Sequence, residues 1–236
     1  MKILAIDTTA SWAEVALSDD ERLIAEYSKY TTTHSTVLLP MIENVSDGEK
    51  IDMYAVSVGP GSFTGVRIGV STIKGLAFAE NIPCVGVSSL EAMAMNFCGV
   101  YGIIVPVIDA RQNAVYTALF SSDGKRNPSR RTPDERLTIS ELFEKLSEFD
   151  KNDTPIWFTG DAYDLIVNRD DCPAMTANTP QTLRHQLASG VIKTALSKWN
   201  ASQDKSVFTA KSLLPVYLRK SQAEQELMMK KQETVK

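Results

Sequence analysis

Apolar residues near the start of the chain form short runs that alternate with segments of helical spacing, and this pattern predicts a series of strands and helices. Strands are predicted at Lys2–Ile6, Ala13–Leu17, Arg22–Ser28, Ile51–Val58 and Ile82–Val87. Helices are predicted near Ser35–Val45 and over Thr64–Glu80. The predicted order is therefore three strands, a helix, a strand, a helix and a strand.

The opening of this series recurs in the middle of the chain. Val105–Asp109 followed by Ala114–Phe120 repeats the pattern of Leu4–Asp7 followed by Ala13–Leu17, in which an apolar strand ends in aspartate and a second strand follows. The element order is that of the ribonuclease H-like unit of actin-like proteins. We therefore expect an α/β fold of the actin-like, duplicated type, with two lobes of which the second is reduced.

The first lobe is expected over residues 1–100, the second over 101–220, and a polar tail over 221–236. The second lobe is predicted to contain a loop at Asn127–Pro133, a helix from the capping box at Thr138 to about Phe149, a strand and turn at Pro155–Asp161, a helix at Thr182–Trp199 and an extended segment at Leu213–Arg219. The last residues, Ser221–Lys236, are too polar for a core and are interpreted as a frayed helix or a tail.

A glycine-rich turn, Gly59-Pro60-Gly61, separates the fourth predicted strand from the second helix. Free N–H groups at a helix start attract anions, so the turn suggests a phosphate site. The required lysine and hydroxyl residue do not follow Gly65, and a dinucleotide fingerprint would need glycine at Thr64. A structural turn and a weak anion site both remain as interpretations.

The helix after this turn has an unusually small face. Gly65, Gly69 and Gly75 each cost about 0.8–1 kcal/mol of helix propensity relative to alanine, which close packing against another backbone would offset. The helix is either an ordinary buried helix or a partner surface, and the helix before it would extend that surface. The candidate partner interface comprises Val37, Leu38, Met41, Ile42, Gly65, Val66, Gly69, Val70, Ile73 and Ala77.

Two loops would face the cleft between the lobes of such a fold. They contain Asp7, Thr8 and Thr9 after the first strand, and Asp109 and Arg111 after its repeat. These residues form a candidate weak nucleotide-facing cleft, in which Asp7 orients a metal-bound water and a threonine contacts phosphate. An aspartate that ends a strand equally closes a turn with its own backbone.

Composition excludes several classes of protein. A net charge of −4 without a basic stripe disfavours a protein that binds nucleic acid unaided. Three widely spaced cysteines exclude a full disulfide set and a CxxC metal site, which favours a reduced, cytoplasmic setting. We expect neither a signal peptide nor a membrane span, because the amino terminus soon becomes polar and no apolar stretch approaches about 20 residues.

The run Gly-Pro-Gly-Ser-Phe-Thr-Gly-Val-Arg-Ile-Gly at residues 59–69 closely resembles the TsaB (YeaZ) family of bacterial tRNA threonylcarbamoyladenosine biosynthesis proteins. The resemblance spans nearly the whole chain. It includes Ile3–Thr8, the His34-Ser35 helix, Val85–Ser88, Pro106–Arg111 and Pro215–Arg219.

The resemblance implies a non-catalytic paralogue of the TsaD ligase. The ligase carries two metal-binding histidines, and the matching positions here are Ser89 and Met93, which are not plausible ligands. The chain has two histidines, His34 and His185, which do not form a pair, and we interpret His34 as a capping or surface group rather than a metal ligand. We therefore expect no catalytic residue and no metal site of its own.

The same resemblance implies the partners. The amino-terminal helices would pack against TsaD and hold it active for threonylcarbamoylation of the adenosine beside the anticodon in tRNAs that read A-starting codons. A homodimer would use the same surface in the absence of TsaD, and the TsaE ATPase would join the larger assembly. Transfer RNA would be bound only through the complex. No cofactor of its own is implied, although a nucleotide bound weakly or at a shared interface stays open.

Three other functions fit these residues less well. An actin-like small-molecule kinase would need phosphate loops richer in glycine than the loop containing Asp109 and Arg111, and a metallopeptidase would need zinc ligands. A protein that binds tRNA unaided is disfavoured by the acidity of the chain.

Overall fold

The amino-terminal strands form one mixed sheet in the computed structural model, which describes residues 1–149 and 154–218. The strands are β1 (Lys2–Asp7), β2 (Trp12–Asp19), β3 (Arg22–Tyr30), β4 (Met53–Ser57) and β5 (Cys84–Val87), in the order β3-β2-β1-β4-β5. The first three strands pair antiparallel, whereas β1, β4 and β5 run parallel. This order confirms the predicted amino-terminal unit.

Helices cover both faces of this sheet, because its central strands are apolar on both sides. Helices α1 (His34–Ser46) and α2 (Phe63–Glu80) pack on one face around Leu4, Ile6 and Val56. The opposite face, which includes Ile3 and Ala5, is covered by α3 (Ser89–Met95) and α6 (Ala188–Ala201). Helix α1 runs continuously through Pro40, which lies on its exposed side.

The second sheet is built around β6 (Tyr101–Asp109), whose apolar run is buried on both faces. Strands β7 (Ala114–Thr117) and β8 (Phe120–Asp123) pair antiparallel with it, and β11 (Ile156–Thr159) pairs parallel. Strands β9 (Ser129–Arg130) and β10 (Glu135–Thr138) extend the sheet, while α4 (Ile139–Phe149) and α5 (Tyr163–Val167) belong to this lobe.

The sequence prediction missed several short elements. Residues Ala114–Phe120 were predicted as one strand, but they contain the whole of β7 and the first residue of β8. The predicted loop at Asn127–Pro133 contains β9. Helices α3 and α5 and strand β10 were not predicted, because segments of four to seven residues are too short to establish a period. The predicted tail, Ser221–Lys236, lies outside the described residues.

The predicted second lobe, residues 101–220, extends too far. Helix α6 begins at Ala188, not at the predicted Thr182, and packs on the first sheet through Val191, Ile192 and Ala195. The following segment packs on the first lobe through Leu213, which lies in the core around α1 and α2, and reaches the cluster around Ile104 and Phe120 only at Leu218. The second lobe therefore ends near the short 3-10 turn Gln181–Leu183, and the chain then returns to the first lobe.

Helix α3 lies between the two lobes. Its Ala92 packs in the core that includes α6, whereas Leu90 and Met93 pack with the β6 residues Ile104 and Ile108. Both sides of this helix are therefore apolar. In the described parts of the chain, no helix is both long enough and apolar enough to cross a bilayer.

Candidate functional site

The glycine-rich turn is packed by the chain's own backbone. The Gly59–Pro60 peptide bond is cis, and Gly59 has φ +110°; a Cβ there would lie 2.6 Å from the Val216 carbonyl oxygen. The Val216 N–H donates to the Val58 carbonyl at 2.8 Å, so the segment near the end of the described chain lies directly against the turn.

Two N–H groups at the turn and in the first turn of α2 also have partners within the chain. The Ser62 N–H donates to the Thr9 carbonyl at 2.7 Å, and the Gly65 N–H donates to the Ser62 hydroxyl oxygen at 3.3 Å. These N–H groups would have to leave their partners before binding an anion. The geometry therefore favours the structural turn over the weak anion site.

The small face of α2 contacts the loop after β1, not another molecule. A Cβ on Gly65 would lie 1.9 Å from the Thr8 carbonyl oxygen, and a Cβ on Gly69 would lie 2.6 Å from the Thr8 hydroxyl oxygen. The Thr8 hydroxyl donates to the Gly65 carbonyl at 2.7 Å. The close approach that the glycines predicted is thus made within the chain.

Most of the predicted interface residues are core residues, so their assignment as the contact layer was wrong. Seven of them are buried in the cluster between the sheet and the two helices, and Gly65 and Gly69 are buried against Thr8. Val37 alone of the predicted set is partly exposed. The seven are Leu38, Met41, Ile42, Val66, Val70, Ile73 and Ala77.

The opposite sides of the same two helices are exposed, and we call these residues the outer helix surface. Phe78 is 82% exposed and Leu39 is 51% exposed, whereas a methyl group added at Gly75 would meet no atom within 4 Å. A shallow groove of about 330 Å³ lies at the end of α2, between Phe78, Ile82 and Phe208. The outer helix surface comprises Leu39, Pro40, Ser71, Gly75, Phe78 and Ala79.

The predicted cleft residues after β1 are buried and bonded to their own lobe. The Asp7 carboxylate accepts hydrogen bonds from the Thr9 N–H at 2.7 Å, from the Thr9 hydroxyl at 2.6 Å and from the Ser57 hydroxyl. Burial raises the pKa of Asp7, while these hydrogen bonds oppose the rise. With Thr8 bound to Gly65, none of the three residues is exposed to a ligand.

His34 lies beside this cluster and is buried, so its interpretation as a surface or capping group was wrong. The helix N-cap is Thr33, and burial lowers the pKa of His34 against the opposing effects of the Ala10 backbone and Asp7. Within residues 1–149 and 154–218, no group of three histidine, cysteine or acidic side chains is placed to hold a metal ion.

The loop after β6 has the same local geometry but is exposed. The Arg111 N–H donates to the Asp109 carboxylate at 2.7 Å, as the Thr9 N–H does to Asp7. Its guanidinium lies 3.2 Å from the same carboxylate, and Asp161 accepts from the Asp109 N–H at 2.9 Å. Both repeat aspartates therefore close turns with their own backbone, and the contacts named here keep each loop within its own lobe.

The two positions that the resemblance aligns with ligase histidines lie on α3. Ser89 and Met93 are both buried, and Met93 packs in an apolar cluster with Leu90 and Phe97. The helix is capped by Ser88, whose oxygen accepts from the Glu91 N–H at 3.2 Å. Apolar packing between the lobes thus accounts for Met93, whereas the buried Ser89 hydroxyl has no hydrogen-bond partner among the described residues.

Comparison with known proteins gives one family model, described as TsaD: tRNA N6-adenosine threonylcarbamoyltransferase, which matches residues 28–227. The tRNA threonylcarbamoyladenosine biosynthesis protein TsaB of Bacillus subtilis (strain 168) is 36% identical over 68% of this chain and 71% of the relative. The TsaB protein of Escherichia coli (strain K12) is 38% identical over 52% of this chain and 56% of the relative.

Among solved structures, YeaZ from Pseudomonas aeruginosa superposes with a TM-score of 0.75 at 25% identity, covering 92% of this chain and 100% of the other. A second Pseudomonas aeruginosa structure, described as similar to peptidase YEAZ, gives a TM-score of 0.76 at the same identity, covering 92% of this chain and 99% of the other. These matches and the strand order confirm the predicted actin-like fold class.

Proposed function

This chain belongs to the TsaB (YeaZ) family and its role lies in tRNA threonylcarbamoyladenosine biosynthesis, and from that premise we propose that it is a non-catalytic scaffold that activates the TsaD ligase. The observation that carries the proposal is the burial of Ser89 and Met93, of which Met93 packs in an apolar cluster, at the positions that the family resemblance assigns to ligase histidines. A chain that matches the ligase family model but has core residues there is suited to binding rather than to metal chemistry.

The outer helix surface supports a partner role. Phe78 is 82% exposed on α2, and its apolar area is removed from water only when a partner covers it. The helix backbone is accessible at Gly75, since nothing lies within 4 Å of the position of an added Cβ. We propose that TsaD binds here, that a homodimer uses the same surface in the absence of TsaD, and that TsaE joins the larger assembly.

In this proposal the tRNA substrate is bound by the complex and not by this chain alone. The group transferred would be threonylcarbamoyl, and its acceptor the adenosine beside the anticodon in tRNAs that read A-starting codons. The net charge of −4 supports binding of tRNA only through the complex. The cytoplasm, where tRNA is modified, is the proposed location.

The decisive experiment is threonylcarbamoyl transfer to tRNA from purified adenylate. The assay contains TsaD alone, this chain alone, or both proteins. Transfer only with both proteins is expected. Transfer by this chain alone would refute the non-catalytic role, and full activity of TsaD alone would refute the activating role.

Surface variants connect this activity to the structure. Phe78→Asp and Leu39→Asp should reduce both TsaD binding and transfer while leaving thermal unfolding unchanged, because both side chains are exposed. Leu165→Asp is the matched control, since Leu165 is 46% exposed on α5 of the second lobe. Equal effects of all three variants would place the partner surface elsewhere.

We also propose that the isolated chain binds nucleotide weakly or not at all, with any nucleotide held at a shared interface. Asp7 and Thr8 support this, because their oxygens are occupied within the chain. Calorimetric titration with ATP should give no micromolar binding. Micromolar binding that Arg111→Ala removes would instead assign a site to the exposed loop.

A further inference from the structure

The chain returns from the second lobe to the first through a short crossover, residues 184–187. It starts after Gln181–Leu183, where Leu183 packs with the second lobe, and ends at Ala188, which packs on the first sheet. The Arg184 side chain of the crossover faces the second lobe, where its guanidinium donates to the Thr179 carbonyl at 2.7 Å.

The β2–β3 hairpin of the first lobe contacts this crossover from the sheet side. The His185 ring stacks on Trp12 with centroids 4.5 Å apart. The Ser189 N–H, in the first turn of α6, donates to the Glu26 carboxylate at 2.7 Å. Gln186 is buried, and its amide nitrogen and oxygen have no hydrogen-bond partner among the described residues.

Glu14 lies on the same face of this hairpin and is completely buried. Its Oε2 accepts a hydrogen bond from the Ser28 hydroxyl, whereas Oε1 has no hydrogen-bond partner in the described structure and lies 3.9 Å from His185 Nε2. That distance is too long for a direct hydrogen bond.

The charges around Glu14 disfavour its anionic form. Asp7 on β1 is its cross-strand neighbour, and Glu26 on β3 also repels a negative charge. His185 faces it from the crossover, but burial lowers the pKa of this imidazole, so it is neutral at pH 7. In the described parts of the chain, no lysine or arginine forms an ion pair with Glu14.

We propose that Glu14 is a buried proton-binding site beneath the crossover: it is a neutral acid in the folded protein, and its ionisation releases residues 184–187. An anion at this position would lie beside two other carboxyl groups without a counter-charge, beneath a segment held by hydrogen bonds and ring stacking. Burial raises the pKa of Glu14 to about 9, in agreement with this geometry.

Linkage gives a sharp test in the intact protein. Between pH 4.5 and about 9, Glu14 would be protonated in the folded protein and ionised in the unfolded chain. The stability that Glu14 contributes is therefore fully present below the unfolded pKa of 4.5 and is lost as the pH rises to about 9. Between these values the unfolding constant of the wild type should rise up to tenfold per pH unit relative to that of Glu14→Gln, which cannot ionise. Glu43→Gln, an exposed control on α1, should follow the wild type.

Two measurements separate the site from its effect on the crossover. The Glu14 carboxyl signal, assigned through its bonds to the Glu14 backbone in ¹³C-labelled wild-type protein, should titrate above pH 8 in ¹³C NMR; titration below pH 8 would overturn the proposal even if Glu14→Gln fails to fold. Trypsin cleavage after Arg184, relative to the exposed Arg126, should accelerate from pH 7 to 9.5 in the wild type but not in Glu14→Gln. Equal acceleration in both proteins would refute release of the crossover.

Discussion

Gly65 on α2 and Thr8 after β1 are in direct contact, so that a Cβ on Gly65 would lie 1.9 Å from the Thr8 carbonyl oxygen while the Thr8 hydroxyl donates to the Gly65 carbonyl at 2.7 Å. This contact fixes the start of α2 against the end of β1. The glycine is therefore required by the fold of the first lobe, whatever partner the helix binds.

Gly65→Ala should destabilise the protein, because the methyl group would meet backbone rather than a flexible side chain. Overpacking of this kind costs about 1–3 kcal/mol. Gly75→Ala is the matched control, since its methyl group meets nothing within 4 Å and helix propensity improves by about 0.8–1 kcal/mol. Denaturant unfolding measures both changes, and equal effects would contradict the contact.

Gly69→Leu should disrupt folding and not only association. Its Cβ would lie 2.6 Å from the Thr8 hydroxyl oxygen and 3.4 Å from Val56, so the leucine side chain would have to displace core residues. This overpacking should lower the free energy of unfolding by at least about 1–3 kcal/mol. Gly75→Leu should fold normally and weaken partner association. Thermal unfolding with sedimentation analysis distinguishes the two, and a folded, monomeric Gly69→Leu protein would restore the interface interpretation of this glycine.

Leu213→Ala should cost about 2–5 kcal/mol, because Leu213 is buried in the core around α1 and α2. The neighbouring Leu214 is 63% exposed, so Leu214→Ala should change the free energy of unfolding by less than about 0.5 kcal/mol. Similar costs for the two variants, measured by denaturant unfolding, would show that this segment does not pack on the first lobe.

Cys84 and Cys98 should differ in reactivity toward alkylating reagents at pH 8. Burial raises the pKa of Cys84 to about 11, so its thiol stays protonated and unreactive below that pH, whereas Cys98 is exposed. Iodoacetamide at pH 8 should modify Cys98 rapidly and Cys84 only after denaturation. Peptide mapping by mass spectrometry provides the test, and rapid labelling of both cysteines in the folded protein would contradict the packing of β5.

Sequence periodicity determined the elements of the first lobe and the repeat. The runs ending in Asp7 and Asp109 predicted two equivalent strand ends, and both carboxylates do close the same turn. The predicted element order is that of the ribonuclease H-like unit, and the strand order β3-β2-β1-β4-β5 is a finding of the structure. The short elements α3 and β10 were missed, since about two turns of helix or four strand residues contain too little pattern.

Tertiary structure alone decided what covers each apolar face. A helical stripe such as Val66, Val70 and Ile73 shows that a face is buried, but core and partner interface require the same residue types. The return of α6 to the first sheet and the burial of Glu14 depend on contacts between residues far apart in the chain. Periodicity describes one segment at a time, whereas burial and pKa depend on every segment that packs against it.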